Sequence, residues 1–332
     1  SQNFSVSGQE GSPQGIEFNT DGTKMFVIGT TGDDVNEYAL STGFDVSTAS
    51  FTDSFSIASQ DGVPYDLAFN TDGTKMFILG EQTGYVYQYT LSTGFDVSTA
   101  SYDSVSFNFG PQESAPHGLA FNTSGTKMFI VGSSGDDVNE YALSTGFNVS
   151  TASFTDAFSV GTQDTNPRDI AFNTDGTKMF IVGQTGGDVN EYTLTTGFDV
   201  STSSFVDAFV VSVQDTQPNG IAFNTDGTKM FIVGATGDNV YEYSVGLTAI
   251  PTGYQPVHTT SSTDTTYWTD INSMTASQAA GDGNVYYAIS TDDRTTWSVI
   301  KDVGGERDIV KNNGGTWQYN SNGTYASETW TA

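Results

Sequence analysis

Carboxylates and one histidine stand just after recurrent prolines, and they are the residues of this sequence that could perform catalysis. Glu17, Asp66, Asp169 and His117 each follow such a proline within four residues. Carboxylate and imidazole groups can act as general acid and base in hydrolysis. The sequence has no Cys, no Gly-x-Ser-x-Gly segment and no paired-His metal motif, and His258 is its one other histidine. Hydrolysis therefore ranks last among the functional hypotheses, and we expect His117 to form hydrogen bonds at the surface.

Short acidic pairs could instead bind a cation. Residues 33–34 and 136–137 are Asp-Asp, and residues 238–239 are Asp-Asn. Calcium prefers such oxygen ligands but takes six or more of them, and these short loops offer no fuller series. Asp and Asn are also ordinary residues of tight turns. We therefore predict no cofactor and no metal site, with calcium kept as an alternative.

Two positions differ chemically from one repeat unit to the next. The residue immediately after the recurrent proline is, in chain order, Gln14, Tyr65, His117, Arg168 and Asn219. The last residue of the loop between the second and third predicted strands is Asp34, Tyr85, Asp137, Asp188 and Asn239. We predict that these ten residues bind a ligand, because loops on a rigid scaffold often carry function. Tyr65 and Tyr85 could stack on sugar faces, which favours a glycan. Free drift of exposed positions after duplication is the alternative.

An internal repeat must position these side chains. The phrase Phe-Asn-Thr-(Asp/Ser)-Gly-Thr-Lys-Met-Phe begins at Phe18, Phe69, Phe121, Phe172 and Phe223, with spacings of 51, 52, 51 and 51 residues. Each unit contains four short segments with strand patterns, joined by Gly-rich turns. Four antiparallel strands that recur with a period near 50 residues are typical of a β-propeller blade. We expect the repeated lysine of this phrase to be a solvated residue at the start of a strand.

The two ends of the repeat region complement each other. The fifth unit stops after its third strand at residues 240–245, whereas residues 3–9 match the fourth strands at 54–60 and 157–163. We therefore predict an all-β protein in which residues 1–247 form a five-bladed β-propeller closed by the N-terminal strand. The turns after the first and third strands then share one face and barely vary. The ten candidate residues share the other face.

The charge balance disfavours some classes of partner. Lys and Arg number 10 and Asp and Glu number 39, which gives a formal net charge of −29. Nucleic acids and anionic membranes attract proteins mainly through Lys and Arg, so neither is an expected partner. No apolar run reaches the roughly 18 residues of a membrane span. The sequence starts at Ser1 without Met, so we expect a processed chain or a piece of a longer one.

Residues 248–332 are predicted to form a linker and a small C-terminal β-rich module. The linker is expected at residues 250–256, and all four Trp of the chain lie beyond it. In a segment of this size without Cys, clustered Trp residues are expected to form a packed core. Residues 290–297 resemble the Asp-box hairpin, which is mostly structural in the families that carry it. Arg294 stands where that hairpin usually has Gly.

The amino-acid sequence of the repeats resembles that of a known group of proteins. Units that combine Asp-Gly-Thr-Lys-Met-Phe, Phe-Asp-Val-Ser-Thr-Ala-Ser and Ser-Phe-Ser-Val resemble propeller repeats of tail-fibre-like and virion-surface proteins of bacteriophages, notably marine ones. Related repeats occur in bacterial surface proteins. The resemblance covers residues 1–247, and residues 315–330 look like segments of phage structural proteins. It implies no catalytic residues.

The resemblance and the variable face lead to one predicted function. We expect a non-enzymatic binding protein on the virion surface that recognises a host-surface receptor, with a glycan as the favoured ligand. The C-terminal module would contact other virion or surface-assembly proteins. The first alternative is a bacterial extracellular adhesin or filament subunit. The second is a propeller hydrolase that acts at the channel mouth.

Overall fold

The computed structural model describes residues 2–245 and five strands within residues 287–328. The prediction of an all-β chain with a five-bladed propeller is confirmed. The helices of the described part are four single 3-10 turns, at Val46–Thr48, Val97–Thr99, Val149–Thr151 and Val200–Thr202. None of them is long and apolar enough to cross a membrane.

The N-terminal strand β1 (Gln2–Ser5) precedes four blades, each built from four consecutive antiparallel strands. Blade one contains β2 (Pro13–Phe18), β3 (Lys24–Gly29), β4 (Asp34–Leu40) and β5 (Ala49–Ser56). Blade two contains β6 (Pro64–Phe69), β7 (Lys75–Gly80), β8 (Tyr85–Leu91) and β9 (Ala100–Asn108). Blade three contains β10 (Pro116–Phe121), β11 (Lys127–Gly132), β12 (Asp137–Leu143) and β13 (Ala152–Ser159). Blade four contains β14 (Pro167–Phe172), β15 (Lys178–Gly183), β16 (Asp188–Leu194) and β17 (Ser203–Val210).

Blade five joins the two ends of the propeller. Its strands are β18 (Pro218–Phe223), β19 (Lys229–Gly234) and β20 (Asn239–Ser244), and β1 supplies the fourth. Gln2 lies opposite Glu242, and the Val6 N–H donates to the Asp238 carbonyl at 2.8 Å. The innermost strand β18 contacts β2 of blade one, so the ring is closed. The predicted closure by the N-terminal strand is confirmed.

The hydrophobic core lies between neighbouring blades. In four blades the second strand is a run of apolar residues buried on both faces, because each sheet is covered by the next one, and in blade four Phe180 alone of that run is partly exposed. Phe231 of blade five packs against Phe18 and Phe44 of blade one, with ring centroids 4.5 and 6.2 Å away. We call such a group a phenylalanine triad. Three other blade interfaces have the same triad, and each third ring comes from the connection between the third and fourth strands.

A charged clamp reinforces these interfaces on the lower face, which we define as the face of the first-to-second turns and third-to-fourth connections. Lys24 Nζ lies 2.7 Å from Glu37 Oε1 and donates to the Phe95 carbonyl of blade two at 2.6 Å. Glu37 Oε2 accepts from the Val97 N–H of the same connection at 3.0 Å. Lys127 and Lys229 form equivalent clamps. Three of the five repeated lysines are therefore tied into the blade interfaces, which the expectation of solvated residues did not anticipate, whereas Lys75 and Lys178 pair within their own blades.

The chain separates into two compact units, Ser1–Val257 and His258–Ala332. In the second unit the structure describes an antiparallel sheet with the strand order β21 (Tyr287–Ile289), β22 (Ser298–Val303), β23 (Glu306–Asn313), β24 (Thr316–Ser321) and β25 (Thr324–Glu328). The predicted boundary after residue 247, the linker at 250–256 and the hairpin at 290–297 lie outside the described residues.

Candidate binding site on the upper face

The five residues that follow the recurrent prolines all occupy the same backbone irregularity. In blade three, Pro116 pairs with Gly132 and Gly118 pairs with Val131, so His117 between them has no partner in the ladder. The other four blades have this bulge at the equivalent residue. A bulge re-aims a side chain out of the regular pleat. The bulges therefore redirect five different side chains. They lie at the ends of the innermost strands that are opposite the lower face, and we call this the upper face.

Four of these five side chains are connected in one network around the channel mouth. Arg168 Nη1 lies 3.2 Å from His117 Nδ1, and Arg168 Nη2 donates to Gln184 Oε1 at 2.7 Å. Gln184 Nε2 donates to Asn219 Oδ1 at 2.7 Å, and Asn219 Nδ2 donates to the Pro13 carbonyl at 2.8 Å. Gln184 was not among the predicted residues. The same comparison between repeats could have found it, because the residue after the second strand also differs in every unit.

Tyr65 extends the network, and Gln14 stays outside it. The Tyr65 ring meets the His117 ring edge to face, with centroids 4.8 Å apart. His117 Nε2 also lies 3.1 Å from Ser133 Oγ. His117 is buried, so the expectation of a surface residue is wrong. Gln14 Nε2 donates to Ser12 Oγ at 3.2 Å, within its own loop. The structure thus brings together His117, Arg168, Asn219 and Tyr65, and it leaves Gln14 half-buried beside them.

The charge state of this cluster is unusual for so acidic a protein. Burial and the neighbouring Arg168 lower the pKa of His117 to about 3, so its imidazole is neutral at physiological pH. Burial also lowers the pKa of Arg168, although a guanidinium stays charged in proteins. Within residues 2–245, no carboxylate lies within ion-pair distance of Arg168, and its buried Nε has no hydrogen-bond acceptor. Asp164 and a hydrogen bond with Tyr65 favour the charged form of Arg168, but neither gives this half-buried guanidinium an ion pair.

The second predicted set of residues forms an outer ring on the same face. Asp34, Tyr85, Asp137, Asp188 and Asn239 are the first residues of the third strands, and all are half-buried. The three aspartates each accept a hydrogen bond from the Asn two residues further on, at 2.7–2.8 Å. Asn239 donates to the Gly237 carbonyl at 2.8 Å. Among the residues that the structure describes, no cluster of three or more acidic or His side chains could hold a metal ion.

The two aspartates considered for catalysis lie inside the channel and bind the backbone. Asp66 accepts from the N–H groups of Leu67 and Leu119 at 2.8 and 2.6 Å. Asp169 accepts from Ile170 and Ile221 at 2.6 and 2.7 Å. These are innermost strands, whose inward N–H groups have no neighbouring strand to bind. The two carboxyl groups therefore replace a missing sheet partner.

Glycines leave the space that these two aspartates occupy. Gly15, Gly118 and Gly220 stand at the equivalent positions of the other blades, and a Cβ on Gly118 would lie 2.6 Å from Asp169 Cα. Burial raises the pKa values of both Asp66 and Asp169, and a hydrogen bond between the two side chains requires a proton on one of them. The pair thus fills the channel at this level, with its oxygens bonded to the protein.

Glu17 lies nearer the lower end of the channel. Burial, followed by the charge of Asp66, raises its pKa to about 8. It borders a cavity of about 230 Å³ that Asn19, Asn70 and Thr225 also line. The carboxylates considered for hydrolysis therefore lie within and below the channel, whereas the variable side chains lie at its upper mouth.

Comparisons with known proteins identify no family for this chain. No protein-family model matches the sequence, and no curated protein matches it. Among solved structures, a functionally unknown protein from Desulfotomaculum acetoxidans is 16% identical, with 70% of this chain and 69% of that chain covered and a TM-score of 0.45. The periplasmic gluconolactonase of Pseudomonas aeruginosa is 14% identical, with 70% and 66% covered and a TM-score of 0.41. The Cps50 (Swd1) β-propeller domain of Myceliophteria thermophila is 8% identical, with 74% and 98% covered and a TM-score of 0.42.

Proposed function

We propose that this protein is a binding module that recognises an acidic glycan of a host surface through its upper face. The observation that carries the proposal is the Arg168 guanidinium at the channel mouth, which forms no ion pair with a carboxylate of residues 2–245. A buried charge is costly unless an opposite charge accompanies it. A ligand carboxylate would supply that charge and the acceptor that Arg168 Nε lacks.

The neighbours of Arg168 suit a saccharide. Tyr65 offers a half-buried aromatic ring, and planar amides and an imidazole surround the guanidinium. Such groups bind the hydroxyls and apolar faces of sugars. The net charge of −29 repels an anionic ligand at long range, but charges beyond about 8 Å are largely screened at physiological ionic strength. Local attraction by Arg168 therefore decides the binding.

A matched pair of ligands tests this proposal. We would titrate the full chain with uronic-acid-containing oligosaccharides and with the same oligosaccharides after their carboxylates have been reduced to alcohols. The acidic form should bind and the reduced form should bind at least ten-fold more weakly, because charged hydrogen bonds contribute about 1.5–3 kcal/mol.

Two variants test whether the ligand binds on the upper face. Arg168→Gln should weaken acidic binding roughly ten-fold or more and leave the reduced ligand unaffected. Lys178→Gln removes the same charge on the lower face and should change neither affinity. Equal binding of both ligand forms, or binding unchanged in the triple variant Tyr65→Ala, His117→Ala and Arg168→Ala, would contradict the proposal.

The setting that we propose is the surface of a phage particle, on the strength of the resemblance of the repeats. The C-terminal unit would then connect the propeller to other particle proteins. Mass spectrometry of purified virions should detect this chain. Its recovery from the surface fraction of a bacterium, with none in virions, would instead support the adhesin alternative.

A further inference from the structure

The lower face has a recurrent socket that receives the connection between the third and fourth strands. At the interface of blades three and four, the Phe198 ring stacks on Phe129 with centroids 6.4 Å apart. Lys127 Nζ donates to the Phe198 carbonyl at 2.6 Å and lies 2.7 Å from Glu140 Oε1. The Val200 N–H, two residues later, donates to Glu140 Oε2 at 3.1 Å. The sockets of Lys24, Lys127 and Lys229 thus bind a ring, the carbonyl of the same residue and an N–H two residues on, whereas the socket between blades two and three binds the ring and the N–H.

The fifth socket, between blades four and five, is open among the described residues. Phe180 and Phe223 form its ring pair with centroids 4.6 Å apart, as at the other interfaces. Lys178 and Glu191 lie 2.6 Å apart, but their side chains are 43% and 28% exposed, against 30% and 6% for the pair in blade three. Phe180 is also partly exposed, whereas its four counterparts are fully buried. The cause is the closure itself, because β1 comes from the N-terminus and blade five needs no third-to-fourth connection.

The sequence that follows β20 lacks the residue types that the filled sockets bind. In the register of the repeat, Val245 corresponds to Leu40, which places Ala249 where the other units have Phe. Pro251 stands where they have Val, and proline has no N–H to donate. The continuing chain therefore offers neither the aromatic ring nor the second hydrogen bond in that register.

The outer strand of blade four extends this open socket with apolar surface. Val206, which is 49% exposed, stands beside Glu191 where blade one has Thr52. The edge of β17, like the outer edges of the other four blades, has no strand beside it in the described part of the chain. Exposed apolar patches and free strand edges are typical of sites where another polypeptide binds. A covering partner would bury both features together.

From these features we infer that the open socket and β17 dock an aromatic turn of a separate protein. The three filled sockets that contain the same Lys–Glu pair define the chemistry of that turn. It carries a Phe or similar ring, whose own carbonyl binds Lys178 and whose second-next residue donates an N–H to Glu191. A second copy of this chain does not fit, because its own four turns are held inside its ring.

A peptide copied from the chain is the probe. We would titrate the full chain, up to about 1 mM, against the labelled ten-residue peptide of residues 41–50 and follow fluorescence anisotropy. The control peptides replace its Phe by Ala, or methylate the nitrogen of its Val. Each control should bind more than ten-fold more weakly, because the first loses the ring and the second loses the N–H donor.

A protein variant locates the binding. Glu191→Ala should weaken the unmodified peptide as much as methylation does, and it should not weaken the methylated peptide further. Equal binding of all three peptides would overturn the inference. So would the absence of binding to the full chain when the variant Leu247→Ser with Ile250→Ser does bind, since the chain itself would then occupy the socket.

Discussion

Gly125 and Gly227 occupy equivalent turns of two blades, but their surroundings differ. Replacing each of them by alanine makes the same change in these two settings. Both glycines have left-handed backbone, with φ of +67° and +70°. A Cβ on Gly125 would collide with the Phe147 ring of the filled socket beside it. A Cβ on Gly227 would meet no atom of the residues that the structure describes within 4 Å. The comparison therefore isolates the packing of one aromatic ring.

The two substitutions share one cost and differ in a second. Left-handed backbone costs an L-residue about 1–2 kcal/mol, so both variants lose this amount. Overpacking adds about 1–3 kcal/mol for Gly125→Ala alone. In a domain of this size 1 kcal/mol shifts Tm by about 2–4 °C. The Tm of Gly125→Ala should therefore lie roughly 2–12 °C below that of Gly227→Ala.

Calorimetry and urea unfolding of the full chain would measure this difference. Gly22→Ala, which faces the Phe44 ring, serves as a second crowded site and should behave like Gly125→Ala. The reasoning is refuted if Gly227→Ala destabilises the propeller as much as the other two variants, within about 0.5 kcal/mol. Such a result would mean that a side chain already covers Gly227 and that the fifth socket is filled.

Three further predictions concern the channel, the clamps and the closure. The pKa of Asp169 is raised by burial, so the folded chain keeps a proton that the unfolded chain releases above pH 4; stability contributed by this proton is lost as pH rises. The difference in unfolding free energy between wild type and Asp169→Asn should accordingly shrink from pH 5 to pH 8 in urea titrations, and a constant difference would count against a shared proton. Lys127→Met should cost about 1–3 kcal/mol, because it leaves the buried Glu140 unpaired, whereas Lys178→Met should cost under about 1 kcal/mol by the same assay. Val6→Asp, which charges a fully buried residue of the closing segment, should lower Tm by several degrees; an unchanged Tm would show that the ring does not depend on that segment.

The fold could be predicted because the five repeats of the chain can be aligned with one another. Five copies of one phrase fix the number of blades, and the match between residues 3–9 and the fourth strands fixes how the ring closes. The Lys and Glu of the clamps were also visible, 13 residues apart in four units. Their partners, a carbonyl and an N–H of the next blade, were not, because backbone groups leave no mark on composition.

The candidate site was predicted less completely. Comparison of the repeats placed ten variable residues on one face, which the strand topology supports. It did not predict that His117 and Arg168 would contact each other, because that depends on a bulge one residue long. Asp66 and Asp169 alternate with glycines for a similar reason, since the channel admits only two side chains at that level. The spacing of a sequence does not reveal the width of a channel.

The contrast between a uniform and a variable face is not by itself an argument for binding. The lower face is uniform for structural reasons, because its lysines, carboxylates and turns hold neighbouring blades together. Drift alone could then produce the variation of the upper face. Drift does not account for the cost of Arg168, since a neutral Gln could bind Gln184 and His117 without desolvating a charge. That cost is recovered when an anion binds, which is why a single guanidinium supports the proposed function better than ten variable positions do.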